Sequence, residues 1–153
     1  MKLVFATIAT LMAGAPALAQ EVSACDDWRA SVRGLAEPWE ENSRTFANGK
    51  TRLALLDFGE PAAGPVHILI LSPPYDELGD RQCRIVSARG TIGFYDLDFS
   101  GLQATYDPAI GLGFAIPGRS YLPETDSSAP MYLLITLNQA TGDIQARVQV
   151  TGG

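Results

Sequence analysis

The alternation of apolar and polar positions marks most of this chain as strand. Residues 66–71, Val-His-Ile-Leu-Ile-Leu, are the longest apolar run outside the N-terminal leader. The run is apolar on both faces apart from His67, which predicts a central strand or one covered on both sides. Asn48-Gly49 between residues 43–47 and 50–58 predicts a hairpin. Asp107-Pro-Ala-Ile-Gly111 and Asn138-Gln-Ala-Thr-Gly142 share one layout: Asp or Asn closes a strand, a type I turn follows, and glycine takes the positive φ. After each, alternation resumes, with Leu112, Phe114 and Ile116 in one case and Ile144, Ala146, Val148 and Val150 in the other. Residues 83–88, 91–99 and 131–138 read as further strands, and Gly90 bends the chain between the first two. Residues 60–65, 72–80 and 117–130 read as loops, the last being the longest.

Only one stretch has helical spacing. Cys25, Trp28, Val32 and Leu35 fall on one face, Ser23 and Asp26 resemble a capping box, and Gly34 and Pro38 stop the run. The expectation is an all-β domain: an antiparallel up-and-down small barrel or sandwich of eight or nine short strands, with one short N-terminal helix. Trp28 is expected to cover one face or end of the sheet, and Trp39 to be a packed anchor.

The leader changes where this fold is placed. Lys2, the apolar residues 3–13 and Ala17-Leu18-Ala19 read as a secretory signal over residues 1–19, leaving 20–153 as a single domain. That apolar stretch falls short of the roughly 20 residues of a membrane helix, so no transmembrane segment is expected. The whole chain carries a net charge of −6, which disfavours nucleic acid and anionic lipid as partners. Two cysteines in an exported chain suggest a Cys25–Cys83 disulfide, worth roughly 4 kcal/mol for a loop of about 60 residues. Val22-Ser23-Ala24-Cys25 also resembles a lipobox, a competing use of Cys25 that Glu21 upstream suits poorly.

Few residues carry chemistry. Asp96, Asp98, Ser100 and Asp107, with Gly101 at the sixth position, have the spacing of a calcium loop. The apolar Leu97 and Phe99 between them favour a strand with Tyr95, Leu97 and Phe99 inward and no metal. His67 could act as a base, yet no second histidine and no nucleophile motif accompany it, and no cofactor motif is legible. Adjacent acids such as Glu40 and Glu41 read as solvated. Asp57-Phe58-Gly59 and Gly111-Leu112-Gly113 match kinase and phosphate-loop motifs by letters only. The loop between strand 66–72 and Cys83 is held at both ends, so Tyr75, Asp76, Glu77, Asp80 and Arg81 form the candidate binding site.

With the leader, Ala24-Cys-Asp-Asp-Trp28, Thr45-Phe-Ala-Asn-Gly49, Ser72-Pro-Pro-Tyr-Asp-Glu-Leu-Gly79 and the Asp-Pro-Ala-x-Gly hairpin, the chain resembles small exported, periplasmic proteins of Gram-negative bacteria that carry no assigned function. The resemblance implies a periplasmic or secreted setting. The residues favour a non-enzymatic β domain that binds another protein or an envelope component. The alternatives are a barrel holding a small apolar ligand against Ile68, Ile70, Leu112 and Phe114, and a hydrolase using His67 with the loop acids.

Overall fold

The computed structural model describes residues 19–151; the expected signal sequence, apart from Ala19, lies outside the described residues. Ten strands form two antiparallel sheets. The first contains β1 (Glu21–Ala24), β2 (Ser43–Phe46), β3 (Thr51–Asp57), β4 (Val66–Tyr75) and β5 (Arg81–Ser87), in the order β1-β5-β4-β3-β2. The second contains β6 (Asp96–Leu97), β7 (Gln103–Asp107), β8 (Gly111–Leu122), β9 (Ser127–Leu137) and β10 (Ile144–Val150). Its order is β10-β9-β8, with β6 and β7 both pairing the far side of β8.

One face of each sheet enters a shared core, where Leu53, Ile68, Ile70 and Val86 cluster with Phe114, Ile116, Leu133 and Ile135. This is sheet-on-sheet packing of alternating inward residues. The barrel alternative is corrected, because the sheets do not close on one another. At the β1 side they meet through the Ala19–Arg147 bridge and the Gln20 N–H donating to Ala146 O at 3.0 Å. Ile68, Ile70, Leu112 and Phe114, expected to wall a ligand cavity, instead fill this core.

The central position of 66–72 and the three hairpin turns stand as expected. Asn138 accepts at Oδ1 from Ala140 and Thr141 N–H, and Gly142 takes φ 79°. Four expectations are corrected. The sheets hold ten strands, not eight or nine. Residues 72–80 are not all loop: β4 pairs β5 out to Tyr75, and Pro73-Pro74, which cannot donate to a ladder, are accommodated in a bulge between Ser72 and Tyr75. Residues 117–130 are not the longest loop but the long β8–β9 hairpin. Pro117 fits there because its missing donor falls between the β7 and β6 ladders, which end at Ala115 and begin at Gly118. Residues 91–99 do not form a long strand. Only Asp96–Leu97 forms a strand, with Ile92 and Phe94 making isolated bridges to Arg89 and Val66, because residues 88–95 carry the chain from the first sheet to the second, held where Val66 N–H donates to Phe94 O.

The N-terminal helix is likewise absent. Two 3₁₀ turns, Trp28–Ala30 and Val32–Gly34, flank an extended Ser31 (φ −87°, ψ 134°). Asp27, rather than Ser23, caps the first turn, and Val32 points to solvent. The segment follows the outer face of the first sheet instead of its own helical period. That face carries Ala54, Leu56, His67, Leu69 and Ile85, so water must be excluded from both sides of β3–β5. Residues 25–42 supply the cover. The Cys25–Cys83 disulfide (Cα–Cα 5.5 Å) pins one end to β5, and Ala36 N–H donating to Leu55 O at 3.0 Å pins the other to β3.

Gly93 sits where the chain leaves the first sheet, and a Cβ there would press on Val66 O, Gly64 O and His67 Nε2. Two of these are backbone atoms that cannot rotate away. Gly93→Ala is therefore expected to lower stability in urea unfolding by about 1–3 kcal/mol; an unchanged midpoint would show that the crossing is not tightly packed.

Candidate functional site

Three hairpin turns brace one another at one end of the molecule. The turn at residues 76–80 joins β4 to β5. Next to it, Gln82 Nε2 donates to Gly142 O at 2.9 Å, tying β5 to the β9–β10 turn. Arg81 Nη1 donates to Gly49 O at 3.4 Å, reaching the β2–β3 turn, and Gln139 Nε2 donates to Thr51 Oγ1 at 3.3 Å. The Gln82 and Gln139 contacts cross between the sheets, the Arg81 contact ties two turns of the first sheet, and together they hold the strand ends in place beneath the turns.

The five residues singled out from sequence divide by role on this base. Asp76 is committed to the turn: its Oδ1 accepts from Leu78 N–H and Asp80 N–H at 2.9 Å each, and its own N–H donates to Asp80 O at 2.8 Å. Arg81 is the strut to Gly49. Tyr75, Glu77 and Asp80 remain exposed to solvent, Tyr75 at 50 %. Beside these five, Leu78 stands 88 % exposed at the tip. Its only signal was an apolar side chain alone among acids, with Gly79 (φ 87°) turning the chain behind it. An apolar and an aromatic side chain held out on a braced hairpin suit docking against another surface.

His67 lies at the other end of β4, about 25 Å away at the usual strand rise. The loop acids proposed to act with it are therefore not brought to it. It is 1 % exposed, on the outer face of the first sheet, with Trp28 and Phe58 edge-on to it at centroid distances of 6.1 and 5.9 Å. Its Nδ1 is 2.8 Å from Ser87 Oγ, which also accepts from Arg29 Nη1 at 2.9 Å. Arg29 is the centre of this cluster. Only 4 % exposed, it donates to Gly90 O and Ser23 Oγ at 3.0 Å each, and its Nε reaches both Asp27 oxygens at 2.9 and 3.0 Å. The Arg29 guanidinium holds the Asp27 carboxyl below the usual carboxylate range. Burial, then the nearby Arg29 charge, push His67 down to about 4, against a smaller upward pull from Asp27. Arg29 and Ser87 carried no sequence signal, because Arg29 joins Ser23 on β1, Ser87 on β5 and the carbonyl of Gly90 beyond it. Asp27, read from sequence as suiting the positive end of a helix, instead caps the 3₁₀ turn and pairs Arg29 two residues on.

The calcium-spaced residues are spent otherwise. Asp98 Oδ1 accepts from Ser100 N–H and Oγ and from Gly101 N–H, capping a 3₁₀ turn at Phe99–Gly101, and these bonds lower its pKa. Asp107 Oδ1 accepts from Ala109 N–H at 2.7 Å in the β7–β8 turn, at the far end of β7 from Asp98. Among the described residues no three His, Cys, Asp or Glu side chains gather to hold a metal. Leu97 and Phe99 are buried as expected, whereas Tyr95 is exposed and lies against Tyr121 at 5.6 Å. Trp39, expected to be a packed anchor, is half exposed. Cys25 is joined to Cys83, so its thiol is not available for lipid.

No family model, curated protein or solved structure matches the chain.

The depressed His67 pKa makes a signed prediction. The fold favours neutral imidazole, so its contribution is complete above the unfolded value near 6.5 and is lost as pH falls toward 4. Urea unfolding of the wild type against His67→Gln at pH 7.5 and pH 4 should show the difference between them shift by about 3 kcal/mol against the wild type at low pH. A pH-independent difference would mean that His67 does not titrate inside the fold.

Proposed function

We propose that this chain is an exported, non-enzymatic β domain that binds a protein or an envelope component through the braced hairpin end, with Tyr75 and Leu78 as anchors and Glu77 and Asp80 as a charged rim. The observation that carries the reading is Leu78 at 88 % exposure on a turn tied to two neighbouring turns. A rigid base lowers the ordering cost of docking, and an apolar anchor within a polar rim is the common composition of a binding patch. The Cys25–Cys83 bridge fits an oxidising compartment, in line with the leader read from sequence and with the resemblance to periplasmic proteins. No helix among the described residues is long and apolar enough to cross a membrane.

A photoreactive residue at position 78, in the full chain exported by a Gram-negative host, should give a discrete adduct that Tyr75→Ala removes. The same residue at position 124, in the β8–β9 turn, should give none. No adduct from position 78, or the same adduct from both positions, would overturn the reading.

A further inference from the structure

Strands β1, β2, β6, β7 and β10 lie at sheet edges, and all but β7 are covered or cut short. β1 and β10 meet through the Ala19–Arg147 bridge and the Gln20–Ala146 hydrogen bond. β2 is four residues long; Arg44 reaches from it to Leu102 O at 3.1 Å, and Phe46 turns in against Phe114. β6 is two residues long. In β7 all five residues, Gln103–Asp107, are exposed, and among the described residues the backbone of Gln103–Tyr106 bonds to β8 alone. It carries no Lys, Arg, Pro or bulge, the features that keep an open edge from pairing. Tyr106 and Ile110, 66 % and 53 % exposed, add apolar surface beside it.

The order of its side chains fits a second copy of the same strand. In an antiparallel pair centred on Thr105, Thr105 faces the partner's Thr105, Ala104 faces the partner's Tyr106 and Gln103 faces the partner's Asp107. Opposed threonines stabilise a strand pair, the small Ala104 leaves room for a tyrosine ring, and a glutamine amide donates to a carboxylate. Asp107 Oδ1 already accepts from Ala109 N–H, so its second oxygen is the one that would receive the amide. Asp107 is the single charge on the strand, in a chain of seventeen acidic against eleven basic residues, and this register keeps it from its own copy. Centring the pair on Asp107 would set two carboxylates face to face. We propose that β7 is a dimer edge, at which two copies pair antiparallel through Gln103–Asp107 and join their second sheets into one about a twofold axis. The β7–β8 and β9–β10 turns lie side by side, where Leu112 pairs Leu137, so the Asp107 end of β7 is the braced hairpin end. Antiparallel pairing sends the two hairpin ends in opposite directions and leaves both open. Five residues of edge bury less than a standard interface, so the dimer dissociates in the micromolar range.

Sedimentation equilibrium of the full chain should show a reversible monomer–dimer equilibrium and no larger species. Thr105→Lys, which sets two like charges at the axis, should weaken the dimer by about tenfold or more while thermal unfolding of the monomer stays normal. Thr105→Glu should do the same, and an equimolar mixture of the two variants should recover a heterodimer, because opposite charges then meet. Leu78→Asp should dimerise as the wild type does, which separates this edge from the hairpin end. A photoreactive residue at position 105 should crosslink the chain to its own copy. The proposal fails if the chain stays monomeric at about 1 mM, if Thr105→Lys leaves the dimer intact, or if the mixed charge variants stay monomeric. Crosslinking from position 105 to a different protein alone would assign the edge to that protein and overturn the dimer.

Discussion

Arg29 is a cation almost wholly removed from water, and its burial holds only because every direction of its guanidinium meets an acceptor: Asp27 on its own turn, Ser23 on β1, Ser87 on β5 and Gly90 beyond β5. An unpaired charge at this depth would be strongly unfavourable, so the partners must stay in place together. That requirement joins the N-terminal segment to the first sheet. It keeps residues 25–42 over the apolar outer face of β3–β5, with the disulfide closing the same segment covalently. Without this cover Leu56, Leu69 and Ile85 would face solvent, and the central sheet would have one dry side instead of two.

The same arrangement sets the character of His67. Burial next to a fixed guanidinium leaves it neutral, bonded to Ser87 and enclosed by Trp28 and Phe58. A lone histidine on an apolar strand invites a catalytic reading. Here its surroundings make it part of a polar cluster inside the fold.

At the opposite end of β4 the physics is reversed. The turns are tied by side-chain bonds to backbone carbonyls, Gln82 to Gly142 and Arg81 to Gly49, so the base is ordered while Tyr75 and Leu78 stay in water. That surface lies outside the shared core, so it can change without disturbing the packing of Phe114 against Phe46 or of Leu133 and Ile135 within the cluster.

Local information was enough for much of this. Turn chemistry at Asn48-Gly49, Asp107 to Gly111 and Asn138 to Gly142, period-two alternation after each, and the doubly apolar 66–72 run specified an antiparallel β protein with β4 in the middle. These features depend on neighbours within a few residues, where propensity and φ restrictions act. The cysteine pair was legible because there were only two to join. What local pattern could not reach was decided by contacts between distant segments. The helical spacing of Cys25, Trp28, Val32 and Leu35 yielded to the pull of Arg29 and Cys83 on a segment too short to hold its own helix. Pro117 and Pro130 suggested a loop, yet each lies in β8 or β9 where the neighbouring ladder leaves a gap. Whether the strands closed into a barrel or split into two sheets depended on how residues 88–95 cross over, and hence on a Gly93 small enough to pass against Val66 and His67. The composition of the strands was written in the sequence, but their partners, the polar cluster and the braced hairpin end exist only once segments far apart in the chain are folded against one another.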